Sequence, residues 1–268
     1  MNLTKTFSAI ILAALAAFYA TPTFADITNV VETGGDNEAT DTITAKWTGV
    51  TYNTTIDNEP INGVPAGTPY TVGTFGHLSP AFVDRRHAYT DAPVGTALAG
   101  TIQLPADALI PSYLLGGEYI MSGNDNRDNP DYRLDVTVDR PASVFMLIDN
   151  RLSDGDGNTP PTFDSTHMQW ILDEGWFPLT TGLNRFNNPL IPDEVGIDED
   201  ADGSLNQFYS VYFKEVPAGT FTLKQADNSG QNMYGVVVVS QPAPEPGSLA
   251  LAGLSILGGL GMLRRRSV

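Results

Sequence analysis

Three carboxylates stand at alternate positions in "DEDADGS": Asp198, Asp200 and Asp202, followed by Gly203. Alternate carboxylates on a tight loop converge on one hard cation such as Ca2+, and the glycine permits the sharp turn. A calcium loop of the helix–loop–helix kind, started at Asp198, wants glutamate at its twelfth position; Tyr209 stands there, so the loop is incomplete. "DGDGN" repeats the theme with Asp154, Asp156 and Asn158 but lacks the glycine at position six, and Asn124 to Asp131 form a third acidic turn. A solvated turn is the plainer account of each of these.

A second chemistry would use aromatic faces. Sugar rings stack their C–H faces on aromatic side chains, while nearby carboxylates or amides bind the hydroxyls. Of the three tryptophans, Trp170 and Trp47 are candidates for such contacts, and Trp176 reads as core. Asp149 and Arg151 read as a structural ion pair or turn. Enzyme signatures are missing: there is no G-x-S-x-G, H-E-x-x-H, phosphate loop or dinucleotide fingerprint. His77, His87 and His167 are isolated along the chain, and there is no cysteine. Cysteine nucleophiles, thiolate metal sites and disulfides are thereby excluded. No catalytic residue is assigned.

The elements that must hold these residues are short and β-rich. "YRLDVTV" alternates, with Tyr132, Leu134, Val136 and Val138 on one face. "SVFMLID" (143–149) is a continuous apolar run, as in a strand buried on both sides. "QFYSVYFKEV" sets Tyr209, Val211 and Phe213 together; "GTFTLKQ" and "MYGVVVVS" follow. Further strands are expected at 42–52, 70–75 and 96–104. Gly, Pro, Asn and Asp break the runs. Such a pattern predicts an all-β antiparallel sandwich, jelly-roll-like. One short helix is expected near 165–174. Asp164 would cap it, with Phe163 and Met168 as its staple. Met168, Ile171 and Leu172 would be its apolar stripe, leaving Trp170 off it and partly exposed. Gly175 would end it, with Trp176 packed back on Ile171.

The chain of 268 residues carries 14 basic and 31 acidic side chains, a net of −17. A surface this acidic repels phosphate backbones and argues against nucleic-acid partners. At the N-terminus, Lys5 precedes the apolar run Phe7 to Phe18, and "ATPTFA" supplies small residues for cleavage after Ala25. This is the pattern of a secretory signal peptide, too short in its apolar part to span a membrane. At the C-terminus, Pro244-Glu245-Pro246 precedes an apolar span, 247–263, and then Arg264, Arg265 and Arg266. As a helix the span would be about 25 Å long against a hydrocarbon core near 30 Å, and its five glycines weaken it. The arginines would stay cytoplasmic.

This order of motif, span and basic end resembles the PEP-CTERM sorting signal of Gram-negative bacteria. The resemblance implies export, recognition by a membrane-embedded exosortase, cleavage near Pro244–Pro246 and a transient inner-membrane association. It also implies a producer of extracellular polysaccharide, with the mature protein at the cell surface, in the outer envelope or in the matrix. The domains expected are 1–25 as signal peptide, 26–241 as the extracellular sandwich, and 242–268 as the sorting tail.

Residues from about Tyr119 to Val239 look like the galactose-binding-like jelly-roll modules attached to secreted polysaccharide-active enzymes. "EYIMSGNDNRDNPDYRLDVTVDRPASVFMLIDNR", "WILDEGWFPLTTGL", "FYSVYFKEVPAGTFTLKQ" and "MYGVVVV" carry that likeness. Binding residues vary in those modules, so no site is carried over. The expectation is a non-catalytic exported protein that associates with polysaccharide, with Ca2+ near Asp198. The alternatives are a structural or adhesive matrix protein without glycan affinity and a polysaccharide hydrolase or lyase. The tail reading has a direct check. Mass spectrometry of protein recovered from the cell surface should find an N-terminus at Asp26 and no Arg264–Arg266. An intact C-terminus would make the tail a permanent anchor.

Overall fold

The computed structural model describes residues 27–35, 75–77, 79–82, 85, 87–90, 97–98, 102–103, 110–199, 205, 207–227 and 230–240. Trp47, Asp200, Asp202, the strand expected at 42–52 and both termini lie outside them, including Ala25, Pro244–Pro246 and Arg264–Arg266. Ala25–Ser240 forms one compact unit.

Two antiparallel sheets make a sandwich. The smaller has three strands: β1 (Ile27–Thr33), β6 (Arg133–Val138) and β11 (Gly219–Lys224), with β6 in the middle. Along β6, Leu134, Val136 and Val138 are buried while Arg133, Asp135 and Thr137 are half-buried, as the alternation requires. On the outer face the polar residues pair across strands: the Thr137 and Thr220 hydroxyls meet at 2.8 Å, and Thr222 donates to Asp135 at 2.5 Å.

The larger sheet has the order β2 (Ala88–Thr90), β9 (Glu194–Asp198), β10 (Gln207–Val216), β7 (Ala142–Asp149), β12 (Gly235–Ser240), β5 (Glu118–Ile120). The two-residue strand β8 (Phe177–Pro178) also pairs with β10. β7 lies between β10 and β12 and is buried on both faces over most of its length, as its continuous apolar run predicts. β3 (Ala97–Leu98) and β4 (Ile102–Gln103) pair with each other, so the single strand expected at 96–104 is two short ones.

The larger sheet is curled. Four strand spacings of about 4.8 Å would set β2 about 19 Å from β12 in a flat sheet. A tyrosine side chain does not reach that far, yet a Cβ added at Gly235 in β12 would overlap the Tyr89 hydroxyl from β2. Residues 75–77 and 79–82 join the two edges. Ala81 N–H donates to His87 O at 2.8 Å, and Tyr89 N–H to Ser79 O at 2.9 Å. On the other side Phe82 bridges Ser122, and Phe75 N–H donates to Gly117 O at 2.7 Å.

The curl gives the sheet two distinct faces. Cross-strand partners share a face. The concave face carries Tyr89, Tyr209, Val211, Leu147, Phe145, Val237 and Tyr119. Phe75 fills its centre, 4.9 Å from the Tyr89 ring and 5.7 Å from the Tyr119 ring. The convex face carries Val144, Met146, Ile148, Val236, Val238 and Ile120, and it faces the smaller sheet. The sheets are tied by Ile27 N–H to the Glu118 carboxylate at 2.5 Å and by the Tyr234 hydroxyl to Lys224 O at 2.6 Å.

The helix α1 spans only Trp170–Asp173. Asp164 does not cap it. Its Oδ1 instead accepts Thr166 N–H at 2.8 Å and His167 N–H at 3.0 Å in a separate turn, and Met168 at φ 48° keeps that turn from running into the helix. Leu172 is 50% exposed and does not belong to the apolar stripe. The ending is as expected. Gly175 has φ 75°, its N–H reaches Leu172 O at 3.2 Å, and Trp176 N–H reaches Ile171 O at 3.0 Å. Trp176 and Ile171 are both buried.

Gly235→Ala tests the curl. Overpacking against the Tyr89 hydroxyl should lower stability by about 1–3 kcal/mol in chemical denaturation. In a Tyr89→Phe background, which lacks that oxygen, the loss should shrink. An equal loss in both backgrounds would refute the contact.

Candidate functional site

The Schellman ending of α1 turns the chain out of the helix and into β8. Pro178 has no N–H to give to a further strand, which suits β8 to a sheet edge. Phe177 lands opposite Phe213 of β10, and Phe213 lands opposite Phe145 of β7. All three project on the concave side, at the end of the sheet away from Tyr89. Ring centroids are 6.4 Å apart from Phe177 to Phe213 and 6.2 Å from Phe213 to Phe145. Tyr113 adds a fourth ring 5.4 Å from Phe145. The row runs from a buried end to an open one: Phe145 is 7% exposed, Phe213 half-buried and Phe177 61% exposed. One register step further along lie Glu215, Ser143 and Val239, where the Ser143 hydroxyl donates to Glu215 Oε1 at 2.8 Å.

Asp193 fixes the buried end of the row. It is fully buried, just ahead of β9. Its Oδ1 accepts the backbone N–H groups of Thr181, Gly182 and Leu183 at 2.8, 3.1 and 3.1 Å. Its Oδ2 accepts the Thr181 hydroxyl at 2.7 Å and the Tyr113 hydroxyl at 2.9 Å. Burial, then the Asp193 charge, then their hydrogen bond push the Tyr113 phenol well above its ordinary value, so it remains a neutral donor.

A second polar cluster lies between the ends of β7, β9 and β10. Buried Asn150 donates to Glu194 at 2.8 Å and accepts the Ser210 hydroxyl at 2.7 Å. Glu194 also accepts Arg185 N–H at 3.0 Å, and its pKa is raised by burial. The Arg185 guanidinium lies 3.9 Å from the centre of the Phe208 ring and donates to Gly157 O. Every charge here has a partner within the fold, which is the pattern of a brace.

The acidic motifs at 149–158 and 124–131 form turns and braces. Asp149 is buried and grips Arg151 through two bonds, at 3.0 and 2.7 Å, as the ion pair expected there. In the turn at 154–158, Asp154 accepts Asp156 N–H at 2.9 Å and Asp156 accepts Asn158 N–H at 2.9 Å. Those Asn158 bonds hold the Asp156 carboxyl below its usual value. In the third turn, a 3-10 helix at Asp125–Asp128, Asn126 donates to Glu32 at 2.8 Å and Asn124 accepts Met233 N–H at 2.8 Å. Asp198 is fully buried at the end of β9, opposite Ala88, while Asp200 and Asp202 lie outside the described residues. Among the described residues no group of three His, Cys, Asp or Glu gathers at a metal-sized site.

Trp170 is half-buried on the convex side. Its Nε1–H donates to Gln225 O at 3.0 Å, and the Trp176 and Tyr234 rings meet it at 6.5 and 6.2 Å with planes near perpendicular. The sequence therefore singled out a tryptophan at the junction of the sheets, whereas the exposed ring of the row is Phe177. Phe213 was legible on its strand face; Phe177 was not, because a two-residue strand has no period to read.

Asp193→Asn should uncouple Tyr113 and the 181–183 turn from the row. Loss of charge-assisted bonds to three backbone N–H groups should cost about 2–4 kcal/mol in denaturant unfolding. A cost under about 1 kcal/mol would show that the clasp is dispensable. No family model, curated protein or solved structure matches this chain.

Proposed function

We propose that this chain is a non-catalytic exported protein that associates with extracellular polysaccharide at the surface or in the matrix of a Gram-negative bacterium. Signal peptidase would cut after Ala25. An exosortase would act near Pro244–Pro246 while the 247–263 span, held by Arg264–Arg266, keeps the precursor in the inner membrane. The observation that carries the polysaccharide reading is the aromatic row Phe177–Phe213–Phe145. The row is open at Phe177 and half-buried at Phe213, beside a carboxylate and a hydroxyl, and so offers stacking and hydrogen bonding together, as sugar recognition requires. Ca2+ held by Asp198, Asp200 and Asp202 would act on the structure of that loop and not on the row itself.

The adhesive reading has its own support. On the 181–192 loop Leu190 is 86% exposed and Phe186 41% exposed, and such residues suit a protein contact. The two readings separate experimentally.

A glycan array probed with the purified protein, with and without EDTA, should retain it on polysaccharide. Phe177→Ala should weaken binding about tenfold, the scale of one exposed phenylalanine contact. Dependence on EDTA would identify the calcium contribution. No retention under either condition, together with concentration-dependent self-association, would favour the adhesive reading.

A further inference from the structure

The edge strand β1 enters the fold at Ile27, and the side chains of Ile27 and Val30 are fully buried. Among the described residues its partner strand is β6. Further bonds fix its two ends. At the far end Glu32 accepts a hydrogen bond from the Asn126 amide at 2.8 Å. At the start Ile27 N–H donates to Glu118 Oε2 at 2.5 Å. Glu118 is half-buried on β5, opposite Val238 of β12. This bond therefore joins the first residue of the smaller sheet to the larger sheet, beside the end of β12 at Ser240 from which the tail continues.

The residue before Ile27 is Asp26, the first of the mature chain on the footing that signal peptidase cuts after Ala25. In the precursor the Asp26 nitrogen is an uncharged amide. Hydrolysis of the Ala25–Asp26 bond consumes one water. The acyl carbon takes the hydroxyl and the nitrogen the hydrogen; the new acid then gives its proton to the amine. The leader departs as a carboxylate, and Asp26 keeps an α-ammonium, the form an α-amine mostly takes at neutral pH. Successive backbone nitrogens are at most about 3.7 Å apart, by bond lengths and angles. Added to the 2.5 Å from Ile27 N to Glu118 Oε2, this sets the ammonium within about 6 Å of a carboxylate oxygen for every backbone angle at Asp26. Opposite charges so close, one of them half-buried, attract. On the paired strand, Val138 opposite Ile27 is followed by Asp139 and Arg140, whose side chains meet each other at 2.9 Å.

We infer that removal of the leader completes the fold: the α-ammonium freed at Asp26 pairs with Glu118 and latches β1 to the larger sheet. The precursor has no charge at that nitrogen and holds the start of β1 by the neutral Ile27 bond and by strand pairing. Export and stability are thereby coupled, because the latch forms only in a chain that signal peptidase has cut. An edge strand that opens bares the backbone groups of its neighbour, here β6, as a template for pairing with another chain. The latch closes that route once the protein is outside.

Hydrogen exchange of the β1 amides tests this on the purified exported protein, with its N-terminus established by mass spectrometry and the β7 amides as internal reference. Selective acetylation of the α-amine removes its charge. It should speed exchange across Ile27–Thr33 about fivefold in the parent. In Glu118→Gln, which keeps an oxygen for Ile27 N–H, acetylation should change nothing. A chain that retains Thr23–Ala25 moves the charge up to about 10 Å along the backbone and should exchange as the acetylated parent does. Acceleration by acetylation that is equal in the parent and in Glu118→Gln, or absent from the parent, would overturn the latch and leave the cleavage reading intact. So would exchange in the extended chain as slow as in the mature parent. An N-terminus other than Asp26 on the exported protein would overturn the cleavage reading and the latch with it.

Discussion

The contact of the Tyr89 hydroxyl with the backbone at Gly235 is the constraint on which the larger sheet depends. It brings strands that are four steps apart in the sheet to within one side chain of each other. The sheet must then curl, and residues 75–77 and 79–82 follow by bridging its two edges. Curling separates the two faces. The concave face closes around Phe75, Tyr89 and Tyr119, and the convex face is left to pack against the three-stranded sheet. Glycine is required at 235 because any side chain would occupy the space that the tyrosine fills.

With no cysteine in the chain, loops are fixed by buried polar groups instead of disulfides. Asp193 gathers three backbone donors and two hydroxyls. Asp149 grips Arg151, and Arg185 joins Glu194, Phe208 and Gly157. Asp193, Asp149, Arg185 and Glu194 are buried with their partners in place, so their desolvation is offset by hydrogen bonds, while Arg151 is half-buried. Glu174 performs a related task nearer the surface. It receives Lys214 from the larger sheet and Lys224 from the smaller one, and thereby pins α1 across both. An acidic chain thus spends several of its few cations on internal bracing, and the concave row is left without one among the described residues.

The division of aromatic side chains follows the same geometry. Trp170 and Trp176 sit where α1 meets both sheets, with their rings edge to face. Phe177 is the next residue, yet the chain reversal at Gly175 carries it to the opposite side of the sheet. One residue step therefore separates a packed tryptophan from an exposed phenylalanine. Size and hydrophobicity alone would rank them the other way.

Much of the sandwich was legible in the sequence. β6, β7, β10, β11 and β12 were read from alternation or from continuous apolar runs, because a strand of six or more residues repeats its burial period several times. The Schellman ending at Gly175 was legible too, since only glycine takes φ 75° there without strain. The short strands β2, β5, β8 and β9 and the lead strand β1 were not, because their identity comes from a partner strand and not from a pattern of their own. The helix was overextended to 165 because Asp164 caps a turn and a helix by the same side-chain bond. The sequence by itself determined the antiparallel class, the inward face of each long strand and the acidic surface, all of which are set by local periodicity and composition. Tertiary structure alone decided that the sheet curls, that Asp193 is a clasp and that Phe177, Phe213 and Phe145 form one row. Those depend on strand order and register, which join residues as far apart as Glu118 and Val238, 120 positions, and leave no mark in any local window.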